Sequence, residues 1–260
     1  MTEAAYDERP RRRGRKVLVG LLVLLLVLAG LLVLADRIAT GVAERAIADQ
    51  VSQELNRQDA SASPPSVDIG GFPFLTQVAA GRYERITIGL SDVTGTVDGN
   101  SVTLPTLDVD ARDVTASLDT IRSGQGDVTA ARVDGTGTIS YASLAAYLDR
   151  PGLTLAERDG KLAVTAPVDI FGQQLTVSGV AEITVDEQGK VSLGFSDLDA
   201  EGLPNLPAAR ALLNNYAQGI SIDVPLPELP FQMTVRGVTP LPEGLQVSAD
   251  ARDVPINALG

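Results

Sequence analysis

The chain has no cysteine, no histidine and no tryptophan among its 260 residues, and only five phenylalanines and five tyrosines. Without cysteine it has neither disulfides nor a thiol to carry a lipid. Without histidine the commonest general base and metal ligand is missing. Positive charge is also scarce: 21 Lys and Arg stand against 33 Asp and Glu, a net charge of −12. Six of the cations, Arg9, Arg11, Arg12, Arg13, Arg15 and Lys16, crowd the N-terminus. With those six and Glu3, Asp7 and Glu8 set aside, fifteen cations face thirty anions and the remainder carries about −15. Such a balance argues against nucleic acid as a partner, and against docking on anionic lipid through a basic patch.

What is present begins with a run of nothing but Val, Leu, Ala and Gly from Val17 to Ala35. At about 1.5 Å per helical residue it spans roughly 28 Å, close to the hydrocarbon thickness of a bilayer. The preceding cations hold residues 1–16 on the cytoplasmic side, so residues 36–260 are expected to be extracytoplasmic. Val33 and Ala35 also make a small-x-small pattern before Asp36, which leaves a cleaved signal sequence as the alternative to an uncleaved anchor. Signal-peptide cores run to only about 7–15 apolar residues, which favours the anchor. Either way the rest of the chain is exported.

Past the run, Ile38, Val42, Ala46, Ile47, Val51 and Leu55 recur at helical spacing, predicting an amphipathic helix over 37–57. A small, polar, Pro-containing break follows from Asp59 to Ser66. From Val67 onward alternation with period two dominates, as in Val102, Leu104, Leu107, Val109 and Ala111, or Leu245, Val247 and Ala249. Turn residues at Asp98–Asn100, Asp159–Gly160 and Gln188–Gly189 separate such runs. Helical patches are predicted at Tyr141–Leu148 and Pro207–Gln218. The fold class is therefore α+β with strand in the majority. Asp110-Ala-Arg-Asp-Val114 recurs as Asp250-Ala-Arg-Asp-Val254, which fits two related sheet halves or two strand ends of similar surface charge.

Catalytic constellations are near misses. Asp197-x-Asp199-x-Glu201-Gly202 opens like a calcium loop, but Ala208 stands where the bidentate Glu belongs, so a solvated acidic turn is the simpler reading. Asp108 and Asp110 share a strand face as a solubility pattern would, and Gly135-Thr-Gly137 lacks the third glycine of a dinucleotide fingerprint. No nucleophile elbow is present, and no metal or cofactor is implied. A hydrolase built on two distant carboxylates remains a remote alternative.

The specific segment runs from Val67 to Ile86. Phe72 and Phe74 flank Pro73, with Gly70, Gly71 and Gly81 permitting bends on either side. The rings either gate an apolar opening or plug a β core. Gly71-Phe-Pro-Phe-Leu-Thr-Gln77, then Gly81-x-Tyr83, after an apolar run and an amphipathic helix, resembles the LmeA-like phospholipid-binding proteins of actinobacteria. Asp-Val pairs at Asp92, Asp113 and Asp253, placed at strand ends, extend the resemblance over the exported region.

The resemblance implies a fold similar to tubular lipid-binding proteins, a long curved antiparallel sheet around an amphipathic helix and an apolar lipid cavity. It implies binding of phospholipids, inositol phospholipids among them, and support of envelope lipoglycan maturation, with a glycosyltransferase or lipid-processing enzyme as partner. The chain departs from it in having no lipoprotein cysteine. On this reading Phe72, Phe74, Leu75, Tyr83, Ile47, Val51 and Leu55 contact acyl chains, and Arg82 and Arg85 are headgroup candidates or plain surface arginines. The rival is a structural adaptor with a packed core that works through protein contacts and is not an enzyme either.

Overall fold

A computed structural model describes residues 12–97, 100–117, 120, 126–148, 151–170, 173–200, 221–224 and 233–256. The predicted helix Pro207–Gln218, the turn residues Asp98 and Gly99, and Glu201, Gly202 and Ala208 lie outside those residues.

The apolar run and the amphipathic segment form one helix, α1, Arg12–Arg57. No proline interrupts it, and Gly20, Gly30 and Gly41 are tolerated inside a helix of Leu, Val and Ala. Its 46 residues make a rod roughly 69 Å long. It stops where Asp59 turns to φ 53° and the Ala60 amide reaches back 2.9 Å to the Leu55 carbonyl.

The strand-rich architecture expected from the alternation is the one the chain adopts, with its strands divided between two antiparallel sheets. The first contains β1 (Ser66–Gly70), β2 (Arg82–Val97), β3 (Asn100–Ala116), β4 (Val128–Ile139), β10 (Thr234–Leu241) and β11 (Gly244–Pro255), in the order β1-β2-β3-β4-β11-β10. The second runs in sequence order through β5 (Thr154–Arg158), β6 (Lys161–Ile170), β7 (Gln173–Val185), β8 (Val191–Ala200) and β9 (Ser221–Val224). A short helix α2 (Phe74–Ala80) joins β1 to β2, and α3 (Tyr141–Tyr147) joins the sheets. The Ser140 hydroxyl accepts from the Ser143 amide to start α3, and Ser143 in turn accepts from the Thr103 amide at 2.8 Å. Tyr141 donates to the Leu241 carbonyl at 2.8 Å, fixing α3 against β10 as well.

Two turns follow the sequence reading closely. Asp159 and Gly160 both have positive φ, 53° and 74°, as a two-residue turn of the primed kind requires. At Gln188–Gly189 the Asp186 carboxylate accepts from the amides of Gln188 and Lys190, at 2.9 and 2.8 Å. The acidic stretch at Asp197 and Asp199 belongs to β8, where Asp197 sits at a bulge opposite β7.

The repeated pentapeptide has a single cause. Its copies lie on β3 and β11, the two neighbours of β4, and take the same register on it. Ala111 and Ala251 both face Val133, and Val114 and Val254 both face Ala130. In each copy the second aspartate, Asp113 or Asp253, has φ near +50° and the valine after it is buried. Buried positions there are three apart, not two: Tyr83 and Ile86, Ala111 and Val114, Ala130 and Val133, Ala251 and Val254 join one core cluster. On β3 and β11 a residue in the left-handed region rotates the strand enough to return the following side chain to the core. Asp92 repeats the device in mid-strand, between buried Leu90 and Val93. The Asp-Val pairs are thus kinks inside strands, and Asp92 is far from a strand end.

Aspartate tolerates this conformation better than most residues, and a β-branched one does so worst. Asp113→Val is expected to lose about 1–3 kcal/mol in urea unfolding, and Asp113→Gly less than about 1 kcal/mol.

Candidate functional site

The first residue after the apolar run organises the surroundings of the Gly-Phe-Pro-Phe-Leu block. Asp36 is only 3 % exposed, and its carboxylate accepts from the Leu75 amide at 2.8 Å, in the first turn of α2. Two turns further along α1, the Glu44 carboxylate accepts from the Ile69 amide of β1 at 3.1 Å. Ala39, Ala43 and Ile47 on the same side of α1 pack against the core of the first sheet. The small residues let helix and sheet approach closely, so the helix seats on Asp36, Ala39, Ala43 and Ile47. Ile38 and Val42 of the predicted apolar face stay outside, 60 % and 57 % exposed.

The block itself is a joint. Gln77 is buried, donates to the Gly70 carbonyl at 3.1 Å and accepts from the Glu84 amide at 2.9 Å. Gly71 has φ +89°, and a Cβ there would lie 2.7 Å from the side chains of both Gln77 and Glu84, so only glycine fits. The Phe72–Pro73 peptide is cis. The two phenylalanines go to different places. Phe74 is buried with its ring 6.3 Å from that of Tyr83, whereas Phe72 is 53 % exposed beneath the Arg37 guanidinium, 5.4 Å from the ring centre. Leu75 is exposed beside Phe72.

Tyr83 is buried, and its hydroxyl has no hydrogen-bond partner among the described residues. An orphaned hydroxyl in an apolar cluster costs about 1–3 kcal/mol, and an incoming acceptor removes that cost. Burial also raises the phenol's pKa from its ordinary value.

Beyond this cluster the helix-side face of the sheet carries an apolar track. Ile88, Val109, Gly135 and Ala249 stand in one cross-strand row, and Leu90, Leu107, Gly137 and Val247 in the next row but one. The central strand β4 thus contributes only glycine to both rows, leaving a furrow between aliphatic walls. Most of the wall residues are half-buried, as are Ile47, Val51 and Leu55 on α1. Among the described residues the atoms nearest the furrow floor belong to flexible side chains: a Cβ on Gly135 would meet Met233 Cε at 3.1 Å, and one on Gly137 would meet Leu107 Cδ1 at 3.4 Å. The two glycine rows span roughly 7 Å of a face that stays apolar for roughly 33 Å, from Tyr83 to Val93.

The opposite face is charged and internally matched. Arg85, Arg112, Arg132 and Arg252 form one cross-strand row, and Asp110, Asp134 and Asp250 form the next on that face. Asp110 takes Arg85 at 3.0 Å and Arg112 at 2.8 Å, Asp134 takes Arg132 at 2.7 Å, and Asp250 takes Arg236. Hydrogen bonding and charge from Asp110 push the Arg112 pKa up, and Asp134 does the same to Arg132. Of the two headgroup candidates, Arg85 is therefore engaged, and Arg82 is exposed at the start of β2.

The LmeA-like phospholipid-binding family model matches residues 34–250. The chain belongs to this family. The matched region starts at the end of the apolar run and takes in the joint, the track and the strands as far as Asp250 in β11. Searches of curated proteins and of solved structures find no match.

Of the residues singled out in the sequence, Tyr83, Phe74 and Ile47 fall in or against the core cluster. Asp36, Glu44 and Gln77 were not singled out, because their roles depend on contacts 25–39 residues away or on a buried amide. Sequence reasoning weighed Gly135 and Gly137 only as a dinucleotide fingerprint and not as the floor of a strand face. Two glycines at alternate positions of a strand were the available signal.

Tyr83→Phe removes the orphaned hydroxyl, so the lipid-free protein is expected to gain about 1 kcal/mol in urea unfolding. Above the ordinary tyrosine pKa of about 10 the unfolded phenol ionises before the folded one, so stability falls as pH rises. The variant is expected to lose less stability over that alkaline range than the parent protein.

Proposed function

We propose that this is a membrane-tethered, extracytoplasmic phospholipid-binding protein that holds acyl chains between α1 and the first sheet. Residues 1–16 form a cytoplasmic tail, 17–35 a single membrane span, and 36–260 the lipid-binding domain. The observation that carries the reading is the glycine-floored furrow of Gly135 and Gly137 between aliphatic walls on the helix-side face, in a family that binds phospholipid. Ile47, Val51 and Leu55 supply the helix side, Phe74 and Tyr83 close the end nearest the apolar run, and Phe72 and Leu75 border it. The Tyr83 hydroxyl donates to an ester or phosphate oxygen there.

Each methylene moved out of water contributes about 0.8 kcal/mol, so two acyl chains supply ample affinity without a basic surface. Headgroup contact is then local, through Arg82, with inositol phospholipids among the ligands. The bound lipid is presented to an envelope glycosyltransferase or lipid-processing enzyme that matures lipoglycan. The adaptor reading draws on one feature, the exposed pair Tyr147 and Leu148 at the end of α3, which suits a protein contact.

Solvent extraction of the purified full chain followed by mass spectrometry is expected to yield phospholipid in stoichiometric amount. Gly137→Ile, which fills the furrow, is expected to cut that yield severalfold with the circular dichroism spectrum unchanged. Parent protein that carries no lipid would favour the adaptor.

In lipid titrations, affinity is expected to fall about fourfold for each methylene lost from a buried chain and to change little between low and physiological salt. Indifference to chain length, with strong weakening by salt, marks a surface electrostatic binder.

A further inference from the structure

Among the described residues, large exposed apolar side chains gather in few places. They are the apolar run itself, Ile38 and Val42 just beyond it, Phe72 and Leu75 in the α2 turn, and Tyr147 and Leu148. The first three groups meet. Asp36 binds the Leu75 amide and Arg37 covers the Phe72 ring, so the turn is held at the level where the apolar run ends. Along the helix axis Ile38 lies roughly 4.5 Å and Val42 roughly 10 Å past Ala35, within or next to the interfacial layer of a bilayer whose hydrocarbon is spanned by residues 17–35. Side chains that would be anomalies on a domain in water form a collar around the point where α1 leaves the membrane.

We propose that the Gly71–Thr76 turn is a foot that rests in the outer leaflet of the protein's own membrane, with Phe72 and Leu75 inserted among the lipids. The proposal rests on the membrane-spanning reading of residues 17–35. The occupant of this surface is phospholipid because the surface is continuous with a bilayer-length apolar helix and is locked to it by a buried carboxylate. Its charges agree. Arg37 and Arg82 stand against Glu84, so the foot is nearly neutral and inserts by burial of apolar area at the headgroup level. Phe74 and Tyr83 lie directly behind the foot, at the end of the apolar face that leads on to the furrow.

The far end of the molecule supplies the contrast. α1 runs from Asp36, bonded to α2, to Leu55, whose carbonyl holds Ala60 next to the Ser61–Thr94 bridge. Thr94 pairs with Thr103, which holds α3, so Tyr147 lies near the opposite end of β2, roughly 36 Å from Tyr83 along the strand.

The absence of native tryptophan makes any introduced one the sole reporter. Val27→Trp, Phe72→Trp, Leu75→Trp and Tyr147→Trp are each made in the full chain. Each is reconstituted in phosphatidylcholine vesicles with or without phosphatidylcholine brominated near the top of its acyl chains. Fluorescence of the Val27, Phe72 and Leu75 variants is expected to fall by about twofold or more on bromination, and that of the Tyr147 variant to stay constant. Quenching at Val27 with none at Phe72 or Leu75 overturns the foot and leaves the span standing. Absence of quenching at Val27 overturns the span, and the foot with it. Equal quenching at Tyr147 and Phe72 overturns the foot too, because the domain then lies flat on the bilayer. Leu75→Trp reports on the same turn should Phe72→Trp fail to fold.

Discussion

A carboxylate that follows nineteen apolar residues directly, and is nevertheless buried, sets the geometry of this protein. Asp36 cannot enter hydrocarbon without a large penalty, and it cannot stand in the fold without partners. The Leu75 amide meets that requirement, and Thr40 answers in turn by donating to the Asp36 carbonyl at 2.9 Å. One residue thereby marks where the apolar segment ends and where the β domain is attached. Because α1 passes that point without a break, a continuous helix instead of a loop connects the two. Glu44 and the Ala39–Ala43–Ile47 seat extend the attachment over two further turns.

The sheet meets a different constraint, that of curving over a helix while keeping its ladder intact. A regular strand places alternate residues on opposite faces, so a core that must be followed round a bend needs positions where that alternation is reset. Aspartates at φ near +50° provide them at Asp92, Asp113 and Asp253, with the pairing register unchanged across β2, β3, β4 and β11. The repeated pentapeptide follows from this: two strands that flank the same neighbour and bend at the same row need the same local chemistry. The arginine and aspartate rows on the far face follow too. Arginines opposite one another across four strands would repel, and an adjacent row of aspartates turns the clash into ion pairs.

What the sequence made legible was whatever its local periodicity or turn chemistry records. The helix end at Asp59, the Asp159–Gly160 turn, the Ser140 start of α3 and the strand majority all have causes within a few residues. Division of the strands between two sheets has no such cause, since it depends on which edges remain free after β11 has returned to β4. The helix face was misread for a related reason. Counting large apolar residues favours Ile38 and Val42, whereas close approach of a sheet selects Ala39 and Ala43. Within the block, two phenylalanines around a proline look equivalent in sequence. Only the turn at Gly71 and the buried Gln77 send Phe74 inward and leave Phe72 outside.

Charge separates the two faces of the first sheet. The described cations of the first sheet are largely committed: Arg85 and Arg112 to Asp110, Arg132 to Asp134, Arg236 to Asp250. They occupy the face turned away from α1, whereas the furrow of Gly135 and Gly137 lies on the face turned toward it. A lipid phosphate approaching the outer face would compete with aspartates already in contact and would enter a field of net negative charge. Among the described residues, an acyl chain entering the furrow would meet first the movable ends of Met233 and Leu107. The two faces thus differ in kind: one carries paired charge in register across the strands, and the other offers the apolar area on which the proposed binding of a lipid tail rests.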